Sequence, residues 1–111
     1  MPRLPQIADF FVVLVTCPTR AAGEKIGRAL VEERLAACVN VVPGMRSLYR
    51  WEGKVRREPE VLLVIKTRRT RLPALQRKVS SLHPYTVPEI IALPIATGSA
   101  PYLAWLREST R

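Results

Sequence analysis

The stretch ACVNVVPGMRSLYRWEGKVRREPEVLLVIKT, residues 37–67, decides how this chain folds. Cys38, Asn40 and Val42 alternate with Val39 and Val41, the period of two that gives a strand distinct faces. Past Pro43-Gly44 the alternation resumes, with Ser47, Tyr49 and Trp51 opposite Leu48 and Arg50. Proline and glycine are weak strand formers tolerated at kinks, so Pro43-Gly44 is expected to be a bulge or bend inside one long ribbon. Glu52-Gly53-Lys54 supplies a tight reversal with glycine where positive φ is needed. The return strand runs from Val55 to Thr67, with Pro59 expected at a second irregularity on its solvent edge, and its VLLVIK segment is core-like. Residues 38–52, fully extended, span about 50 Å at ~3.3 Å per residue. A globule of this length is only about 35 Å across. The hairpin end is therefore expected to project beyond its own body.

Upstream, FFVVLVT at residues 10–16 is aromatic and β-branched without a polar break, which suits a central strand. Pro18 ends it, and Thr19 is placed to cap a helix running to about Leu35. Ala22, Ile26, Ala29 and Leu30 share one side of that helix. Gly23 and Gly27 each cost about 1 kcal/mol against alanine in a helix interior, so close approach of backbone to sheet is expected there. Downstream, Thr70 is read as the cap of a second helix with Pro73 in its first turn. Leu72, Leu75, Val79 and Leu82 form its apolar stripe, and His83-Pro84 stops it. EIIALPI, residues 89–95, gives a fourth strand, and Ser99-Ala100-Pro101 opens a short C-terminal helix carrying Tyr102, Leu103, Trp105 and Leu106.

Strand, helix, strand, strand, helix, strand is the ferredoxin-like βαββαβ order of an α+β fold, an antiparallel sheet backed on one face by two helices. Residues 1–111 are expected to form one domain, with residues 1–8 a flexible extension. The projecting hairpin carries Leu48, Tyr49 and Trp51 between two open strand edges. Such edges are normally covered, and other copies of the chain are the economical cover, which predicts a closed homo-oligomer.

The chain has 111 residues, 48% of them apolar, the size and composition of a single folded unit rather than a disordered chain. Eighteen basic side chains against nine acidic give a net charge of +9. They are dispersed: Arg56-Arg57 is followed by Glu58 and Glu60, and the basic run from Lys66 to Arg71 contains Thr67 and Thr70. That pattern is an evenly basic surface and argues against a nucleic-acid footprint. VLLVIKT also lacks the stacking aromatics that RNA-binding modules carry on an inner strand. No apolar run approaches the roughly 18 residues of a membrane span. MPRLPQIADF lacks the apolar stretch of a secretory signal, so a cytoplasmic location with reduced thiols is expected for Cys17 and Cys38. GxGxxG, P-loop, GxSxG and HExxH motifs are missing, so neither an enzymatic activity nor an organic cofactor is expected.

Three side chains stand out: Cys17 ending the first strand, His83 ending the second helix and Glu89 entering the last strand. Together a thiolate, an imidazole and a carboxylate suit a borderline-soft divalent cation such as copper or zinc. The competing reading makes Cys17 a small buried hydrophobe, His83 a helix-end residue at the negative dipole and Glu89 a partner for an arginine. Cys38 is read as core. Trp51, Tyr49, Tyr85 and Lys66 are read as candidates for a cleft where the hairpin meets a neighbouring subunit, against simple burial of the aromatics at that contact.

TCP at residues 16–18, LVEERLAACVN at 30–40, PGMRSLYRWEGK at 43–54, LLVIKT at 62–67, HPYTVPEIIALPI at 83–95 and YLAWL at 102–106 resemble the CutA family of divalent-cation tolerance proteins. The likeness runs in register over nearly everything after residue 9. It implies a cytoplasmic homotrimer of ferredoxin-like subunits joined through the long hairpins, binding divalent cations, copper foremost, at Cys17, His83 and Glu89. Thr86 departs from the acidic or amide residue often found there in relatives, removing one oxygen ligand. The architecture also resembles trimeric PII-type signalling proteins. That likeness implies, as an alternative, a regulatory or scaffold trimer taking a small anion or a partner protein at its subunit clefts.

Overall fold

The computed structural model describes residues 8–111, so the expected flexible stretch at 1–8 lies, but for Ala8, outside the described residues. β1 (Phe10–Cys17) is central because its apolar run can be covered on both edges and both faces. It pairs antiparallel with β3 (Lys54–Arg68), from Phe10 opposite Arg68 to Cys17 opposite Val61. On its other edge β4 (Ile90–Pro94) pairs from Phe11 opposite Pro94 to Val15 opposite Ile90. β2 (Cys38–Trp51) joins β3, giving the order β2-β3-β1-β4. Val13, Val15 and Cys17 of β1 and Val61, Leu63 and Ile65 of β3 pack with Ile26 and Leu30 of α1 (Arg20–Glu32) and Leu75 and Val79 of α2 (Leu72–Leu82). The fold is the expected ferredoxin-like one. α3 (Ala100–Ser109) follows, capped by Ser99 Oγ, which accepts from the Tyr102 N–H at 3.4 Å.

Thr19 Oγ1 caps α1 by accepting the Ala22 N–H at 3.1 Å. The two helix glycines are where the sheet comes closest. A Cβ on Gly23 would stand 3.1 Å from Leu63 Cδ2, and one on Gly27 would stand 3.0 Å from Val39 Cγ1. The helix ends at Glu32, short of the expected Leu35. Arg34 takes a left-handed conformation (φ 59°), and the N–H groups of Leu35 and Ala36 both donate to the Leu30 carbonyl. The turn drops Leu35 and Ala36 into the core, which outweighs another turn of helix. The cap expected at Thr70 is also corrected. Residues Arg69–Arg71 form a 3₁₀ turn, and the Leu72 N–H donates to the Arg69 carbonyl. The chain thus enters α2 already helical, with no side-chain cap.

In the hairpin, Trp51 pairs with Lys54, and Glu52 (φ 50°) and Gly53 (φ 76°) fill the two-residue turn. Both are left-handed, as a turn matching the strand twist requires. The expected bulge is present: Val42 opposes Leu62, yet Met45 opposes Glu60, so β2 has gained one residue across Pro43-Gly44. Gly44 supplies φ 81° there. Because β3 keeps its phase, the extra residue changes which members of β2 face outward. Before the bulge they are Cys38, Asn40 and Val42; after it they are Met45, Ser47, Tyr49 and Trp51. Two expectations fail here. Cys38 is half-buried rather than core, because it shares the outer face with Asn40 and Val42 while Val39 and Val41 take the helix side. Pro59 causes no irregularity, since it pairs in register with Arg46. β1 ends at the Val61 pair, so beyond it the other edge of β3 is open and a missing N–H is tolerated.

The molecule measures 50 × 37 × 23 Å, the long axis exceeding the 35 Å expected of a globule. Leu48 is 70% exposed and Val55 66% exposed on the arm. The Arg107 guanidinium lies 5.0 Å from the centre of the Phe10 ring, which sets α3 at the end of the sheet where β1 begins. Ile91 and Leu93 of β4 and Val42 of β2 remain exposed.

Candidate functional site

His83 ends α2 in an extended conformation (φ −73°, ψ 136°), its N–H donating to the Val79 carbonyl at 2.8 Å. This stop turns the imidazole under the end of β1. The Tyr85 N–H donates to His83 Nδ1 at 3.0 Å, so that nitrogen carries no proton. Nε2–H then donates to the Thr16 carbonyl at 2.7 Å. Cys17 Sγ stands 3.8 Å from the same Nε2. The ring is fixed in orientation with both nitrogens engaged. Cys17 is wholly buried. Burial, with the Glu60 charge second, pushes its thiol up to about 11, so at neutral pH it keeps its proton.

The structure thus brings Cys17 and His83 together, while Glu89 lies exposed at the entrance of an adjoining cleft. Among the described residues no three histidine, cysteine, aspartate or glutamate side chains gather to hold an ion. As they stand, the thiol and the imidazole are a satisfied pair, and they do not fit a resident metal without rearrangement.

The cleft has a volume of about 680 Å³ where the hairpin leaves the sheet. Tyr49 and Trp51 of β2 and Tyr85 and Val87 of the segment before β4 give it apolar walls. Its floor holds Glu60, only 8% exposed, whose Oε2 accepts from the Tyr85 hydroxyl at 2.9 Å. Burial and this bond raise the Tyr85 phenol above its ordinary range, so it remains a donor. Trp51, Tyr49 and Tyr85, expected at a cleft with a neighbouring subunit, line this cleft within one chain, and Lys66 of the same chain does not. It stands opposite Val12 and Cys38, far along β3 from Glu60, and bonds Asn40. Among the described residues no lysine or arginine lines the cleft. Sequence reasoning missed Glu60 and its bond to Tyr85. The available signal was a carboxylate directly before the buried run VLLVIK.

The family model described as "CutA1 divalent ion tolerance protein" matches residues 11–109. The chain is 58% identical over 99 residues to the "Divalent-cation tolerance protein CutA" of Thermus thermophilus, covering 89% of this chain and 96% of that protein. It is 56% identical over 100 residues to "Protein CutA, chloroplastic" of Arabidopsis thaliana, covering 90% of this chain but spanning only 55% of that relative. A solved structure of the Thermus thermophilus protein superposes with a TM-score of 0.90 at 56% identity, over 92% of this chain and 99% of the other. The Arabidopsis name corrects the expected cytoplasmic location: the shared fold occurs in a chloroplast protein, so it does not fix a compartment. Among the described residues no helix is long and apolar enough to cross a membrane.

Proposed function

The chain belongs to the CutA1 divalent ion tolerance family, and from that premise we propose that it acts as a homotrimer taking up divalent cations, copper foremost, as cargo and without catalysis. The names of its relatives describe tolerance and specify no reaction. What supports assembly is the uncovered apolar surface: the hairpin arm with Leu48 and Val55, and the outer sheet face with Ile91 and Leu93. A closed ring of copies covers both and leaves no open strand edge. The number three is what membership of the family implies.

Cys17, His83 and Glu89 are the proposed ligands. The observation that carries this is the 3.8 Å approach of Cys17 Sγ to His83 Nε2 behind a cleft whose mouth holds Glu89. Uptake requires the thiol to give up its proton and His83 to release the Thr16 carbonyl, so binding strengthens as pH rises and releases a proton. Isothermal titration of copper in two buffers of different ionisation heat is the test. The expected result is a buffer-dependent enthalpy for the wild type that disappears in Cys17→Ala and in His83→Ala. Equal affinity in all three removes the site. Light scattering should give three times the 12.5 kDa chain mass, and a lone 12.5 kDa particle removes the assembly.

A further inference from the structure

Basic side chains dispersed along the sequence converge at the end of the molecule away from the hairpin arm, where β1 begins and β3 ends. Asp9 Oδ2 pairs with Arg107 at 3.1 Å, and its Oδ1 lies 3.7 Å from Arg68 Nε. The Asp9 carbonyl accepts the Arg69 N–H at 2.7 Å. Arg34 donates to the Glu108 carbonyl at 3.1 Å, and Arg71 Nε to the Thr110 carbonyl at 2.8 Å. Arg111 bonds Glu108 Oε2 at 2.8 Å. Six arginines thus gather around Asp9 and the last turn of α3. Arg68 and Arg107 share Asp9, which leaves Arg34, Arg69, Arg71 and Arg111 with the Glu108 carboxylate. The acids at the end of α1 are taken, Glu32 by Arg28 at 3.9 Å and Glu33 by Lys78 at 2.8 Å. Neither Arg69 nor Arg71 forms an ion pair among the described residues. Residues 1–7, MPRLPQI, hold Arg3 and no carboxylate, so they bring no counter-charge. Arg34 follows α1 and the Arg69–Arg71 turn leads into α2, so the group flanks the helix layer. The arm and the face bearing Ile91 and Leu93, which the proposed homotrimer covers, lie elsewhere.

We propose that this arginine pole binds a linear polyphosphate chain, whose phosphates bridge Arg34, Arg69, Arg71 and Arg111. A guanidinium fork matches phosphate oxygens two at a time and keeps its charge throughout the physiological range. Arg34 and Arg71 each spend an N–H on a carbonyl of α3, which orients the fork and leaves its other donors for a ligand. Like charges set side by side repel, and a polyanion laid across them relieves that repulsion. Four cations on three separate elements span more than a single phosphate, so a chain engages them together. No aromatic residue occurs in 33–37, 68–72 or 107–111, so no base-stacking platform accompanies the charges.

Isothermal titration of the full chain with long-chain sodium polyphosphate tests this, beside oligothymidylate and polyglutamate at equal charge concentration. The expected result is saturable polyphosphate binding, tighter than that of either comparison probe and weakening steeply as salt rises. Arg69→Glu with Arg111→Glu should weaken it at least tenfold, and the milder Arg69→Gln with Arg111→Gln at least threefold. Arg20→Glu with Lys25→Glu makes the same change of net charge on exposed positions in the first half of α1, and should cost less than threefold. Cys17→Ala should stay within twofold of wild type, which separates this pole from the proposed cation ligands. The proposal is overturned by any of three results: no saturable polyphosphate binding by the wild type, equal losses in the two charge-reversed double variants, or tighter binding of oligothymidylate or polyglutamate.

Discussion

Single residues carry two testable energies. The Cys17 thiol ionises near 9.0 in an unfolded chain but at about 11 when buried. A raised native value means that stability is intact below pH 9 and is lost as pH rises towards 11, because the unfolded chain sheds the proton first. Two units correspond to about 2–3 kcal/mol. Urea titrations at pH 8 and pH 11 should show the wild type losing about that much more than Cys17→Ala, and parallel losses would refute it. At the arm's tip, Glu52 holds a left-handed conformation that asparagine adopts at less cost. Glu52→Asn should gain on the order of 1 kcal/mol, since the Glu52–Arg56 pair it removes is exposed and 4.0 Å apart. An unchanged or lowered denaturation midpoint would contradict this. Cys17 and His83 were legible because each ends an element whose boundary the sequence marks, Pro18 for one and Pro84 for the other. Glu60 was not, because its partner Tyr85 lies 25 residues away and only the fold joins them.

Secondary-structure elements were read well where pattern and packing agree. The Thr19 cap, the paired glycines of α1 and the Pro43-Gly44 bulge are each a local rule with one solution. The glycines can be weighed directly. Gly27→Ala gains about 1 kcal/mol of helix propensity, but its methyl would stand 3.0 Å from Val39, a β-branched residue fixed in a strand. Overpacking costs about 1–3 kcal/mol, so the variant should lose stability on balance, with a melting temperature several degrees lower; a higher one would show that β2 can yield. The misread elements share a cause, since tertiary context supplied what local rules did not. A 3₁₀ turn replaced the Thr70 cap, the burial of Leu35 and Ala36 shortened α1, and Cys38, flanked by apolar residues, sits on the outer face because Val39 and Val41 occupy the inner one.

At the scale of the whole molecule, the exposed outer face forecasts how association fails. Ile91→Asp puts a charge on an exposed surface that the proposed homotrimer would bury, on a strand whose helix-side neighbours Ile90 and Ala92 hold the core unchanged. The folded mass should fall to a single 12.5 kDa chain with helical circular dichroism retained; an undiminished mass would move the contact elsewhere. The bulge in β2 reaches furthest. Its surplus residue works like a half-twist in a ribbon, deciding which set of side chains looks toward Glu60. A ladder that ran on without the bulge, with Gly44 paired opposite Glu60, would present Arg46, Leu48 and Arg50 where Ser47, Tyr49 and Trp51 now stand, so a recess edged with rings would become one edged with guanidinium groups. One residue without a side chain therefore decides whether rings or guanidinium groups edge the recess.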